Sequence, residues 1–231
     1  MIKLERYLKR AILINVFFTL LIILMVSYEI LEYKNYKFSF LIFNLFLAWI
    51  PFLSSTFIFI FGRSKMNLFF KIFIISFLGV VWFTFYPNIP YLLTDLIHLQ
   101  ENKYIHIDRY IFTYNEEFII WYEFVELFLS GLTGMLMGFF SLLSIHSIFE
   151  KNRKRFWGWI FVCFISLMSG AGIYMGRFLR FNSWNLLSPL DVAKEFFNSA
   201  NFNTLKFITL FGIFWFLIYF AMKFIFVDRK N

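Results

Sequence analysis

Apolar residues gather into six blocks along this chain, each bounded by short polar or charged stretches. They run over 11–28, 38–61, 68–86, 124–146, 156–175 and 207–227. Each is of roughly 18–24 residues, the length that crosses a hydrocarbon core of about 30 Å at 1.5 Å per residue. The pattern predicts an all-α, polytopic membrane protein of about six transmembrane helices, forming a single integral membrane domain over 1–231. Residues 118–123 read as a helical lead-in to the fourth span. The first span follows a basic leader (Lys3, Arg6, Lys9, Arg10), but Val26-Ser27-Tyr28-Glu29 offers no small-x-small cleavage site, so it reads as an uncleaved helix.

Between the spans, the connection at 62–67 is short, whereas 87–117 and 176–206 are long. Loops of more than about 12–15 residues in a compact protein carry function or structure of their own. Their apolar stretches, 91–99 and 192–197, are expected to form short interfacial helices. Small residues recur every four positions in the fourth span (Ser130, Gly134, Gly138) and in the fifth (Ser166, Gly170 and Gly172, Gly176). Such spacing forms a groove that lets helices approach closely in lipid, and it suggests that these two spans pair.

Composition strengthens this picture. The chain is 61% hydrophobic and 16% charged, against about 25% charged residues in soluble domains. Its 38 phenylalanines read as a choice among equivalent lipid-facing residues rather than as ligand contacts. The net charge of +8 lies in loops, so it signals topology and not nucleic-acid binding. Fourteen Lys and Arg and three acids lie on the side of the N terminus, against eight and eleven on the other. The positive-inside rule then places both termini in the cytoplasm. Cys163 is the sole cysteine, so neither an internal disulfide nor a cysteine metal site is expected, and no cofactor is implied.

Candidate chemistry shares one depth, the outer end of the spans. Asn44, Asn88, Asp95, His98, Glu123, Glu126, Arg177, Arg180 and Asn182 all fall there. Charged groups so close to hydrocarbon face the bundle interior, pair, or line a wet cavity. If the fifth helix continues outward, Arg177 and Arg180 share a face and could pair with Asp95, Glu123 or Glu126, or anchor a carboxylate or phosphate. Asp95 and His98, three residues apart on a short helix capped by Asn88, could be a structural pair, an acid–base pair, or two ligands of a metal site. Internal pairing is the first reading in both cases. His106 and His146 read as ordinary loop and interface residues.

Three segments, residues 87–99 (PNIPYLLTDLIHL), 176–184 (GRFLRFNSW) and 44–51 (NLFLAWIP), resemble motifs of a bacterial membrane family, the Domain-of-Unknown-Function 1361 family. The resemblance covers most of the chain, and it adds Trp184 to the polar cluster. The family's acidic residue after Ser-Trp is Asn185 here, which removes any carboxylate role at that position. The resemblance implies a multi-pass protein of the bacterial plasma membrane and brings no activity with it. Three functions remain open. They are a non-enzymatic envelope or interaction factor, an enzyme acting on an outer-leaflet lipid or lipid-linked anionic substrate (Asp95 and His98 catalytic, Arg177 and Arg180 binding phosphate), and a small transporter. The expected partners are the bilayer and an anionic lipid or lipid-linked ligand at the outer face.

Overall fold

A computed structural model describes residues 2–99, 105–108, 111–151, 154–181, 185 and 188–227. Among them are eight α-helices: α1 (Ile2–Tyr33), α2 (Phe40–Phe61), α3 (Leu68–Phe85), α4 (Asn88–Thr94), α5 (Phe118–Lys151), α6 (Arg155–Arg177), α7 (Pro189–Ser199) and α8 (Phe202–Phe226). Six of these or their extensions are long and apolar enough to cross a membrane, in the order expected from the hydropathy pattern. Helices α1 and α5 extend well past the apolar blocks 11–28 and 124–146. Hydropathy marks the stretch that avoids water, whereas a helix continues for as long as its backbone can stay hydrogen-bonded.

Helix α5 is the axis of the bundle. It packs against α1, α2, α4, α6 and α8, and 67% of its apolar window is buried, against 6% for the window beginning in α3. Two of its inward hydroxyls are satisfied locally, Thr133 donating to the Leu129 carbonyl and Ser144 to that of Phe140. Such back-bonding lets a polar side chain sit in a dry interior without an orphaned donor. Trp82 of α3 donates to Ser141 of α5 at 2.9 Å, and Trp215 of α8 donates to Tyr86 at 3.1 Å.

Both long loops contain the short helices expected of them. The first does not lie on the surface. Helix α4 and the 3-10 turn that continues it (Asp95–His98) wedge between α2, α5 and α6, with Ile89, Pro90 and Leu92 buried. Asn88 is not the cap; Pro87 takes that position, and the Asn88 side chain donates back to the Phe85 carbonyl at 2.9 Å, closing the end of α3. Helix α7 is amphipathic, and its Phe196 ring meets Tyr174 of α6. Beyond α4 the chain forms a two-stranded antiparallel hairpin, β1 (Ile105–Asp108) with β2 (Ile111–Tyr114), register Ile105 to Tyr114. No strand was expected there. Four-residue runs such as Ile-His-Ile-Asp and Ile-Phe-Thr-Tyr are too short to stand out beside the long apolar blocks.

The small-residue stripes are used differently from the expectation. Helices α5 and α6 do touch, but α6 packs most extensively against α8. A side chain at Gly170 would collide with the Ile208 carbonyl of α8, and one at Gly172 with the Pro87 ring. On α5, a Cβ at Gly134 would lie 2.8 Å from the Ile89 carbonyl of α4. The grooves therefore receive α4 and α8. Stripe spacing reveals a close approach but not which neighbour makes it.

Candidate functional site

Helix α6 ends at Arg177, and its last turn carries that side chain toward the α4 segment. There the guanidinium is fully engaged. It pairs with the Asp95 carboxylate through Oδ1, donates from Nε to Thr94 Oγ1 at 3.1 Å, meets His98 Nε2 at 3.4 Å, and lies 4.3 Å over the Tyr91 ring. The Asp95 side chain is 0% exposed. Its second oxygen accepts from Asn44 Nδ2 of α2 at 3.1 Å, so both of its oxygens are occupied. A buried carboxylate needs this degree of pairing, because desolvation otherwise drives it out of the interior. The His98 ring packs against Phe40 at 5.2 Å. One network thus ties α2, α4 and α6 together at the loop end of the bundle.

Arg180 behaves differently. The helix does not continue to it: Phe178 is the C-cap and Arg180 adopts a left-handed backbone, φ 56°. The two arginines therefore do not share a helical face. Arg180 is exposed and lines a cavity of about 550 Å³. Asn44, Thr84, Asn88, Tyr91 and Asn185 are its other polar walls. The rest is apolar, including Phe43, Leu47, Phe83 and Met168, and its floor is opened by Gly172 and Gly176. Among the described residues Arg180 has no ion-pair partner.

Glu123 and Glu126 do not meet either arginine. They form a second acidic group with Glu29 of α1. Lys37 Nζ reaches Glu123 at 3.3 Å, and Asn35 donates to Glu29 and, at 3.5 Å, to Glu123. Asn182 and Trp184 lie outside the described residues. No group of three or more His, Cys, Asp or Glu among the described residues could hold a metal ion.

A third polar network, at the opposite end, was not anticipated. Lys223 of α8, only 1% exposed, pairs with Glu150 and contacts His146, whose Nδ1 lies 2.7 Å from the Tyr219 hydroxyl. Lys223 also lies over the Trp159 ring, and a Cβ at Gly158 would lie 2.7 Å from the His146 ring. The signal was available: His146 and Glu150, and Tyr219 and Lys223, are each four residues apart and so on one helical face. A larger cavity, about 780 Å³, opens near this end, with Tyr7, Arg63 and Lys71 among its walls.

A family model described as "Protein of unknown function (DUF1361)" matches residues 43–218. The chain belongs to the DUF1361 family. No curated protein matches it, and no solved structure does. The DUF1361 region contains every polar residue of the Arg177–Asp95 network and all of the Arg180 cavity's lining except Phe40. It leaves out α1 with Glu29, and also Lys37 and Lys223.

Proposed function

We propose that this chain is a non-enzymatic multi-pass protein of the bacterial plasma membrane, with both termini in the cytoplasm. In this reading the Arg180 cavity at its outer end holds an anionic lipid or lipid-linked ligand. The observation that carries it is the division of labour between the arginines: Arg177 is consumed by Asp95, Thr94 and His98, while Arg180 stands at an amphipathic cavity with no ion-pair partner among the described residues. An apolar chamber with a few convergent polar groups is the usual form of a small-ligand site. A guanidinium suits phosphate or carboxylate at its mouth. The charge balance of the loops supports the orientation.

The experiment is lipid analysis of purified protein. Wild type should co-purify with an anionic lipid, and Arg180→Ala should lose most of it with an unchanged thermal midpoint. Equal lipid in both would defeat the assignment. The enzymatic reading asks Asp95 to accept a proton, yet both its oxygens are engaged by Arg177 and Asn44. It stays second, and turnover of a lipid-linked substrate that vanishes in His98→Ala at normal abundance would restore it.

A further inference from the structure

The acidic group between α1 and α5 has more oxygens than donors. Glu29 and Glu126 are each 0% exposed and Glu123 is 4% exposed. They lie in a stretch that the hydropathy pattern assigns to the edge of the membrane. Among the described residues one ammonium, Lys37, faces them, and it pairs with Glu123. Asn35 serves Glu29 Oε1 and Glu123 Oε1. The nearby tyrosines are Tyr28 and Tyr33 on α1 and Tyr122 on α5, and the Tyr122 hydroxyl donates to the Met25 carbonyl instead. That leaves Glu29 Oε2 and both oxygens of Glu126 with no donor from any other described residue. Yet the two carboxyls lie within hydrogen-bond reach of each other. One turn further along α5, Ser130 Oγ is also buried and unpartnered.

We infer that Glu29 and Glu126 form a proton-binding site, one proton held between the two carboxyls and joining α1 to α5. With Lys37 engaged by Glu123, ionised Glu29 and Glu126 would both lack an opposing charge among the described residues in a buried interface, which burial strongly opposes. A single proton removes one charge and supplies the missing donor: the protonated carboxyl donates its O–H, and the other accepts. The two partners of this bond come from different parts of the chain, since Glu29 lies outside the DUF1361 region and Glu126 within it. The attachment of α1 to the rest of the bundle therefore becomes dependent on proton activity. The competing ligand would be a monovalent metal cation in the same place.

Infrared spectroscopy of the full chain in lipid nanodiscs separates the two. At neutral pH the wild type should show the C=O absorption of a protonated carboxylic acid. Glu126→Gln and Glu29→Gln should each abolish it, and Glu123→Gln should leave it. Glutamine donates where the proton did, so Glu126→Gln should keep its thermal midpoint as pH rises, whereas the wild-type midpoint falls. Absence of the acid band in wild type overturns the inference, even if the variants fail to accumulate. So does a band that survives both Glu29→Gln and Glu126→Gln. A midpoint raised by sodium, with no acid band, overturns it in favour of a metal cation.

Discussion

Asp95 is the residue on which the loop end depends. Its carboxylate is fully buried, and Arg177 and Asn44 arrive from two different helices to satisfy it. Removing one partner of a buried ion pair leaves the other uncompensated, at a cost of about 3–5 kcal/mol. Asp95→Ala and Arg177→Ala should therefore both lower the thermal midpoint in detergent and reduce yield. The exchange Asp95→Arg with Arg177→Asp should recover part of the loss, because the pair re-forms with opposite polarity. If the double exchange is no better than either single variant, charge pairing is a poor account of these residues. Arg180, three positions on from Arg177, should behave in the opposite way and be neutral for stability, because nothing among the described residues depends on it.

At the scale of elements, the decisive feature is the wedge of α4 against the glycine faces of α5 and α6. Pro87 occupies the space of a side chain at Gly172, and Tyr91 sits where a Cβ at Gly176 would come within 2.9 Å. Gly172→Leu should overpack this contact and cost about 1–3 kcal/mol, read as a drop in thermal midpoint and a disturbed Arg180 cavity. Gly79 of α3 is the internal control: a Cβ there meets nothing within 4 Å, so Gly79→Leu should leave the midpoint unchanged. The contrast follows from placement, since both glycines lie in apolar helices and local sequence does not tell them apart.

At the scale of the molecule, the three buried polar networks tie different sets of helices. Arg177–Asp95–Asn44 joins α2, α4 and α6; Glu29–Asn35–Glu123 joins α1 and α5; Lys223–His146 joins α5 and α8. All lie toward the ends of the bundle, leaving a middle held by aromatic and small-residue packing such as Trp215 against Gly138. The charge asymmetry predicts both termini on the cytoplasmic side. A phosphatase reporter that is active only outside the cytoplasm should be silent when fused at the C terminus and active when inserted after residue 99. The reverse pattern would invert the orientation and with it the leaflet assigned to the Arg180 cavity.

What the sequence alone determined is whatever depends on avoiding water one residue at a time. Six apolar blocks became six long helices, apolar stretches in both long loops became short helices, and charges near the spans marked the ends where polar networks lie. Hydropathy is additive along a chain, so it is legible without partners. Partner choice is not additive, and only the tertiary structure decided it. It gave Asp95 to Arg177 and took Glu123 and Glu126 away from both arginines, and it brought Glu29 into play from a helix outside the matched region. It ended α6 at Arg177, so that Arg180 turned off the helix into a cavity. The same packing turned two glycine stripes, readable as a hairpin seam, into seats for α4 and α8, because a groove between helices accepts whichever surface the whole bundle presses into it.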